Sequence, residues 1–588
     1  MDSLLIFDFE AMPLTDKHTV NYVAVQKLCR LCKDAPMDVM ECMKCGQRKH
    51  GFRTVAEFCS WIFSGANQGY TCLAHNFKGY DSYLVLEWVF ANGYKPTVIF
   101  NGGKTLYMNF PAYKVDFKDT LNFMPFALSK MPKTFGSEHI ACKGTFQHIF
   151  NTPDHQDYVG TIPPLEYYDL PGMKDEAAQA LRTWHAGEVA RGAVFDFQQQ
   201  LASYCHKDVE VLTRAVLAYD REFREAGGIP AFMSAITLPS LCMKILRQNH
   251  LPEQSVAVIP PRGYRGNDVY SLKALQWLEC KTHEDGVFIQ HAGNGGEVFN
   301  LVEEWECQFD KRLASEAHLQ AVVGDVECSK VLEARNALFG GRTNAIQLRC
   351  DASEEPAGTI IEYKDFCSLY PYANSRKNYP KGHPQVITCD FGPVTEYKGL
   401  LKVRVLPPRD LYFPVLPMRI NDKLMFVCCP RCAEEERQDR GCDHTDNDRT
   451  AVGTWTHVEL AKALEKGYRV FKVYEVWHCK EWGQLLGGYI AQFLTNKQEA
   501  SGWPAWCRTD DNRERYLRNY LEHKGIRLDP QRINRNEGRR CVNKIALNSM
   551  WGEFGERDNS RRTEYIKHPP EFFRLLMSDD VEVSDCLL

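Results

Sequence analysis

The run Leu4-Leu5-Ile6-Phe7-Asp8-Phe9-Glu10 reads as an apolar strand that ends on two carboxylates. Residues two apart on a strand point to one face, so Asp8 and Glu10 can meet the same metal ion. Taken alone, such a pair is more often a solvated strand edge. A second segment, Ala74-His75-Asn76-Phe77-Lys78-Gly79-Tyr80-Asp81, reads as a strand end and turn leading to a helix. In a third, Tyr204-Cys205-His206-Lys207-Asp208, Tyr204 and Asp208 stand at i and i+4 and share one helical face. Strand-like runs at 4–9, 70–74 and 114–117 alternate with helical runs at 82–91 and 197–223, the alternation of an α/β domain.

In order and spacing, these three segments resemble the exonuclease motifs of family B DNA polymerases, which sit on a ribonuclease H-like fold. The resemblance implies that Asp8, Glu10, Asp81 and Asp208 bind two divalent ions, Mg²⁺ or Mn²⁺, for in-line cleavage of a phosphodiester. Four clustered carboxylates repel one another without cations, which itself argues for metal. Tyr204 would orient the attacking water. His75, Asn76, Thr120 and Leu121 match positions that hold a single-stranded 3′ end in the protein-primed branch.

Tyr363-Lys364-Asp365-Phe366-Cys367-Ser368-Leu369-Tyr370-Pro371 is predicted to be a strand that carries a carboxylate into a turn and a helix start. It resembles motif A of the same family, which makes Asp365 a catalytic metal ligand and Tyr370 the residue under the incoming sugar. Lys544-Ile545-Ala546-Leu547-Asn548-Ser549-Met550-Trp551-Gly552 falls in a predicted helix at 539–554, with Lys544, Asn548 and Trp551 on one face. It resembles motif B, whose Lys and Asn hold the incoming nucleotide; Trp551 stands where most relatives carry Tyr. Ala337-Leu338-Phe339-Gly340-Gly341-Arg342 resembles a template-touching Tyr-x-Gly-Gly element, with Leu338 in place of the Tyr. Gly340 and Gly341 allow close approach of backbone to phosphate. Lys497 is a second candidate triphosphate contact.

Two groups of thiols have metal-ligand spacing. Cys29, Cys32, Cys42 and Cys45 pair two CxxC turns across a short loop, as in a structural zinc ribbon inserted after the first strand. Cys429, Cys432, Cys442 and His444 have zinc-knuckle spacing, with Cys428 as a rival ligand. The chain has 23 cysteines and opens without a basic, signal-like start, so free thiols and metal ligands are expected rather than disulfides. The net charge of −5 decides little, because metal-dependent nucleases gather carboxylates and keep their basic residues local. No run of about 18 apolar residues occurs, so we expect no membrane span and an intracellular protein.

At 588 residues the chain needs more than one core. We expect an α/β and α+β multidomain protein: a ribonuclease H-like exonuclease domain at 1–225, a linker at 226–332, and a palm and fingers of family B type at 333–588. The linker includes an apolar helix at 238–248. The resemblance is closest to polymerases of selfish elements, viruses and linear plasmids. In such relatives a nuclease-like module precedes a Trp-Glu-Cys segment; here Glu297 runs almost directly into Trp305-Glu306-Cys307, as if that module were deleted. Motif C and a thumb are expected after motif B. Ser578-Asp579-Asp580 comes too soon and lacks apolar flanks, so the sequence reads as cut short before motif C, with an exposed, poorly soluble C-terminal half. Implied partners are primer-template DNA, a single-stranded 3′ end, deoxynucleoside triphosphates and a terminal priming protein. The leading expectation is a DNA-directed DNA polymerase by descent that retains the 3′ to 5′ exonuclease. Its rival is a non-catalytic DNA-binding remnant; a nuclease unconnected with replication is opposed by motifs A and B.

Overall fold

Leu4–Met12 forms β1, apolar on both faces as far as Phe7 and then opening to half-buried Asp8 and Glu10. The computed structural model describes residues 3–12, 18–135, 146–168, 170–173, 175–260, 263–265, 272–286, 304–327, 331–343, 347, 349–366, 368–437, 441–554, 566, 568–578 and 583. By packing, the chain divides into two compact units. One is Met1–His250 with Tyr370–Ser375 and Leu486–Leu588; the other is Leu251–Leu369 with Arg376–Leu485. Among the described residues no helix is long and apolar enough to cross a membrane.

In the first unit, β1 joins β2 (Thr19–Leu28), β3 (Lys49–Phe52), β4 (Thr71–Ala74), β5 (Thr97–Asn101), β6 (Lys104–Phe110) and β7 (Val115–Asp119). They make a seven-stranded sheet in the order β3-β2-β1-β4-β7-β6-β5. β1 runs antiparallel to β2 and parallel to β4, and β4 runs parallel to β7. Leu5, Phe7 and Phe9 share a core with Phe58 of α1 (Val55–Ile62) and Val85 of α2 (Asp81–Ala91). The other face of β1 and β2 is covered by α3 (Phe197–Gly227).

α3 is long because its ends are well capped and its apolar stripe is continuous. The Asp196 carboxylate accepts from the Gln199 N–H at 3.0 Å, and Gly228, at φ 69°, closes the C-terminus. Leu201, Cys205, Asp208, Leu212, Val216, Tyr219 and Phe223 are buried along it. The joint expected near 225 falls in its last turn. The helix at 238–248 is observed as α4 (Leu238–Asn249). Later in the unit, α5 (Gly487–Glu499), α6 (Asp510–Lys524) and α7 (Glu537–Glu553) follow, and α7 packs on α3, α4 and α5.

The second unit is built on β8 (Gln385–Ile387), β9 (Gly399–Leu406), β10 (Ala451–Thr456) and β11 (Arg469–His478), in the order β8-β11-β9-β10. Along β9, Leu401, Val403 and Val405 are fully buried and alternate with half-buried Leu400, Lys402 and Arg404, the pattern of a strand with one core face.

One expected element is absent. Residues 363–366, the start of the segment read as the motif A strand, have no regular structure and are exposed; a helix, Leu369–Arg376, begins after a turn at Ser368. A strand needs ladder partners for its N–H and C=O groups, and no described strand pairs with this segment. Cys367, Glu297, Asp579 and Asp580 lie outside the described residues.

Candidate active site

The strand β1, the turn after β4 and the helix α3 bring the first set of predicted residues together. One carboxylate oxygen each of Asp8 and Glu10 and the Sγ of Cys205 lie within 4.8 Å of one another. Just past Glu10 the β1–β2 register slips, and such bulges re-aim side chains beside active sites. Asp81 and Asp208 lie outside that 4.8 Å group and act on the same site through their charge. Burial, then the negative charges of Asp8, Asp119 and Glu10, push the Asp81 carboxyl well above the usual range. Burial likewise pushes the Cys205 thiol up, with Asp8, Glu10 and Asp208 adding to it. Its S–H points at the Asp8 carbonyl, 3.4 Å away. Tyr204, one turn before Asp208 on α3, stacks on Phe146 with ring centres 4.8 Å apart.

This carboxylate set fits hard divalent cations. Asp81 and Asp208 are 6% and 3% exposed, so their charges are balanced by cations or suppressed by protons.

The turn carrying His75 and Asn76 is held by a carboxylate that the sequence reading passed over. Asp119, fully buried at the end of β7, accepts from the N–H groups of Asn76 (2.9 Å), Lys78 (3.0 Å) and Leu121 (2.8 Å). This clip holds Asn76 at φ 63°. A Cβ at Gly79 would stand 3.0 Å from the Asn76 side-chain amide, so any larger residue inside the turn would make that amide shift. The signal for Asp119 was in the sequence: Val115, Phe117 and Asp119 alternate, which gives the carboxylate a core position. His75 is engaged on both nitrogens, with the Thr120 hydroxyl at 2.9 Å from Nδ1 and the Phe126 carbonyl at 3.0 Å from Nε2. Asn76 is exposed and Leu121 half-buried, so these two present surface beside the carboxylates while His75 and Thr120 brace the turn.

The remaining predicted residues are less enclosed. Lys544 and Asn548 are exposed one turn apart on α7, and Lys497 is half-buried on α5. Asp365 is exposed, and Tyr370 is 57% exposed on its short helix. Gly340 and Gly341 are also exposed; a Cβ at Gly341 would meet nothing, so packing does not demand glycine there.

Both cysteine groups assemble. A tetrahedron of ~2.3 Å Zn–S bonds has edges of roughly 3.8 Å. The Sγ separations are 3.7 Å for Cys29–Cys32, 3.7 Å for Cys29–Cys42 and 3.6 Å for Cys32–Cys45. The N–H groups of Cys45 and Lys44 hold the Cys42 thiol down to about 6, suited to a thiolate ligand. In the second group, His444 Nδ1 lies 3.5, 3.2 and 3.8 Å from the Sγ atoms of Cys429, Cys432 and Cys442. Cys428 is turned away, its thiol donating to the Leu411 carbonyl at 3.4 Å. Both donor sets fit zinc.

A family model described as DNA polymerase type B, organellar and viral, matches residues 64–505. A probable DNA polymerase of Neurospora intermedia is 24% identical over 372 residues, covering 60% of this chain and 30% of that protein. Another, of Agaricus bitorquis, is 24% identical over 188 residues, covering 31% of this chain and 22% of that one. The matched segments thus span less than a third of these curated relatives. Among solved structures, an orthorhombic crystal form of Phi29 DNA polymerase has a TM-score of 0.48 at 13% identity, covering 95% of this chain and 69% of that one. Phi29 DNA polymerase with primer-template DNA and incoming nucleotide has a TM-score of 0.47 at 13% identity, covering 97% and 72%.

Proposed function

The chain belongs to the type B DNA polymerases of organellar and viral kind, and on that premise we propose that its N-terminal sheet and α3 form a 3′ to 5′ exonuclease acting on DNA ends. The observation that carries the reading is the approach of Asp8 and Glu10 to one another beside Cys205, with Asp81 pushed up by burial and then by the charges of Asp8, Asp119 and Glu10, and with Asp208 adding its charge at Cys205. The strand order β3-β2-β1-β4-β7, with its first three strands antiparallel and the next two parallel to β1, supports a ribonuclease H-like fold.

In this reading Asp8, Glu10, Asp81 and Asp208 hold the divalent ions. Bound Mg²⁺ or Mn²⁺ supplies a nucleophile at neutral pH and charge stabilisation for the leaving oxygen. Tyr204 orients the attacking water, its ring fixed by Phe146. The turn clipped by Asp119 presents Asn76 and Leu121 to the 3′ nucleotide, with His75 and Thr120 bracing it. Deoxynucleotide transfer is the family activity; for it we assign Asp365 to metal, Tyr370, Lys497, Lys544 and Asn548 to the incoming nucleotide, and Gly340-Gly341 to template. A terminal priming protein as partner rests on the family branch alone. The two cysteine groups are assigned to structural zinc.

The test is digestion of a 3′-labelled or 5′-labelled single-stranded oligonucleotide with Mg²⁺ or Mn²⁺. Stepwise 3′ shortening that Asp8→Ala and Asp208→Ala both abolish is expected. Folded, metal-supplied protein that leaves the oligonucleotide intact would overturn the reading in favour of a DNA-binding remnant.

A further inference from the structure

A second site lies on the back of the helices that carry the candidate nucleotide contacts. A pocket of about 410 Å³ opens between the C-terminal half of α3, α5, the loop after α6 and the start of α7. That volume is within the ~300–1,000 Å³ common for small-molecule sites. Three arginines reach it: Arg527 and Arg532 from the loop and Arg539 from α7. Glu222 and Glu225 of α3 line it as well, Glu222 within 3.8 Å of Arg539 Nε.

The arginines have donors to spare. Arg539 gives one N–H to the Asn496 side chain at 3.1 Å, but its Nε is buried without a hydrogen-bond partner. The Glu222 carboxylate stands 3.8 Å from that atom, beyond hydrogen-bond reach. A buried donor left unmet costs about 1–3 kcal/mol, so a ligand acceptor at this point is favoured. Arg532 meets the Glu499 carboxylate through Nε at 3.4 Å, which leaves its terminal nitrogens toward the pocket. Arg527 is exposed and makes no hydrogen bond or ion pair among the described residues. Guanidinium groups converging this way suit the planar, multi-acceptor face of a phosphate.

The α3 carboxylates in the same lining disfavour a plain polyanion and favour a ligand that carries donors as well as a phosphate. We propose that this pocket binds a nucleoside monophosphate, with the phosphate on Arg527, Arg532 and Arg539 and the sugar or base donors on Glu222 and Glu225. The site is separate from the nucleotide face of the same helices. At ~100° per residue, Lys544 lies about 140° around α7 from Arg539, and Lys497 lies about 160° around α5 from the pocket-lining Thr495. A monophosphate here is also the product that an exonuclease on α3 releases, although binding at the pocket does not depend on cleavage.

Titration calorimetry of the full chain with dAMP, without DNA or divalent metal, tests the assignment. One dAMP per chain is expected, weakened ~10-fold or more by Arg527→Gln and by Arg532→Gln. Arg527 is exposed and makes no hydrogen bond or ion pair among the described residues, so its variant reports on binding rather than on folding. Inorganic phosphate should bind at least about tenfold more weakly than dAMP. No binding of dAMP, or binding indifferent to Arg527→Gln, would overturn the proposal. Phosphate binding as tight as dAMP would overturn it too, reducing the pocket to an anion site.

Discussion

Asp8 and Asp365 are aspartates of the same kind of motif, and the chain treats them oppositely. Asp8 sits in mid-strand, paired with Ala24 of β2 and just past the residues through which β1 pairs with β4, under a helix that brings Tyr204 and Asp208. Asp365 lies on an exposed, irregular segment flanked by Tyr363 and Phe366, which are 94% and 79% exposed. The difference teaches that a motif fixes residue types, whereas its geometry is made by the neighbours that satisfy its backbone. The first site is enclosed by elements from within its own unit.

The largest expected effect breaks the enclosed site directly. Asp8→Ala and Asp208→Ala should each lower 3′ shortening beyond the ~10–100-fold typical of losing a supporting contact around a metal. Thermal unfolding should stay within a few degrees, since each change removes a negative charge from a repelling cluster. Retained activity in both variants would mean that the enclosure is structural only.

How much of this was legible follows from the same contrast. β1, α2, α3 and α7 were readable because local periodicity and caps decide them, and the Asp8, Glu10, Asp81 and Asp208 roster was implied by the family resemblance that the order and spacing of their segments carry. Asp119 was passed over because its role depends on a cross-strand clip to the turn after β4, which no single segment encodes. Motif A was read as a strand because Tyr363 and Phe366 look like strand residues. That propensity expresses itself only against a paired neighbour. The arginine pocket was invisible because its walls come from residues some 300 positions apart, Glu222 and Arg539.

Metal removal tests whether the sheet edge is stapled as firmly as the carboxylate site is enclosed. The first cysteine group stands between β2 and β3, so zinc bound there would support that edge with on the order of 10 kcal/mol of binding free energy. Metal analysis should find two zinc ions per chain, and one in Cys29→Ser/Cys45→Ser, with a clear drop in melting temperature. No zinc in freshly purified protein would remove this support.

Asp119→Ala sharpens the comparison without touching a proposed metal ligand. Three backbone N–H groups lose their acceptor, and 3′ shortening should fall ~10–100-fold while zinc content is unchanged. Asp119→Asn, which keeps one acceptor oxygen, should fall in between.

Beside it, Lys118 shows what enclosure costs. Its ammonium is buried, donating to the Phe232 and Ala235 carbonyls at 2.7 and 3.0 Å, and burial lowers its pKa to about 8 from 10.5. Because the folded pKa is depressed, the unfolded chain binds the extra proton between about 8 and 10.5. The associated stability is full above that window and lost as pH falls through it. The melting temperature of the wild type minus that of Lys118→Met should therefore rise between pH 7.5 and 9.5. A flat difference would indicate that the two carbonyls already offset the burial.

The smallest expected effect belongs to the open site. Asp365 touches nothing that a substitution would leave unsatisfied, so Asp365→Ala should change stability by no more than about 0.5 kcal/mol, the range of ordinary surface substitutions. Its 3′ shortening should match the wild type within about twofold. The exonuclease carboxylates are held by β1, β4, α2 and α3, none of which includes this segment. A loss of shortening in Asp365→Ala would couple the two sites and break the contrast between them. An unchanged rate, together with the losses at Asp8 and Asp119, would leave the enclosed site as a self-sufficient nuclease, since the same aspartate chemistry would then depend on β-sheet context alone.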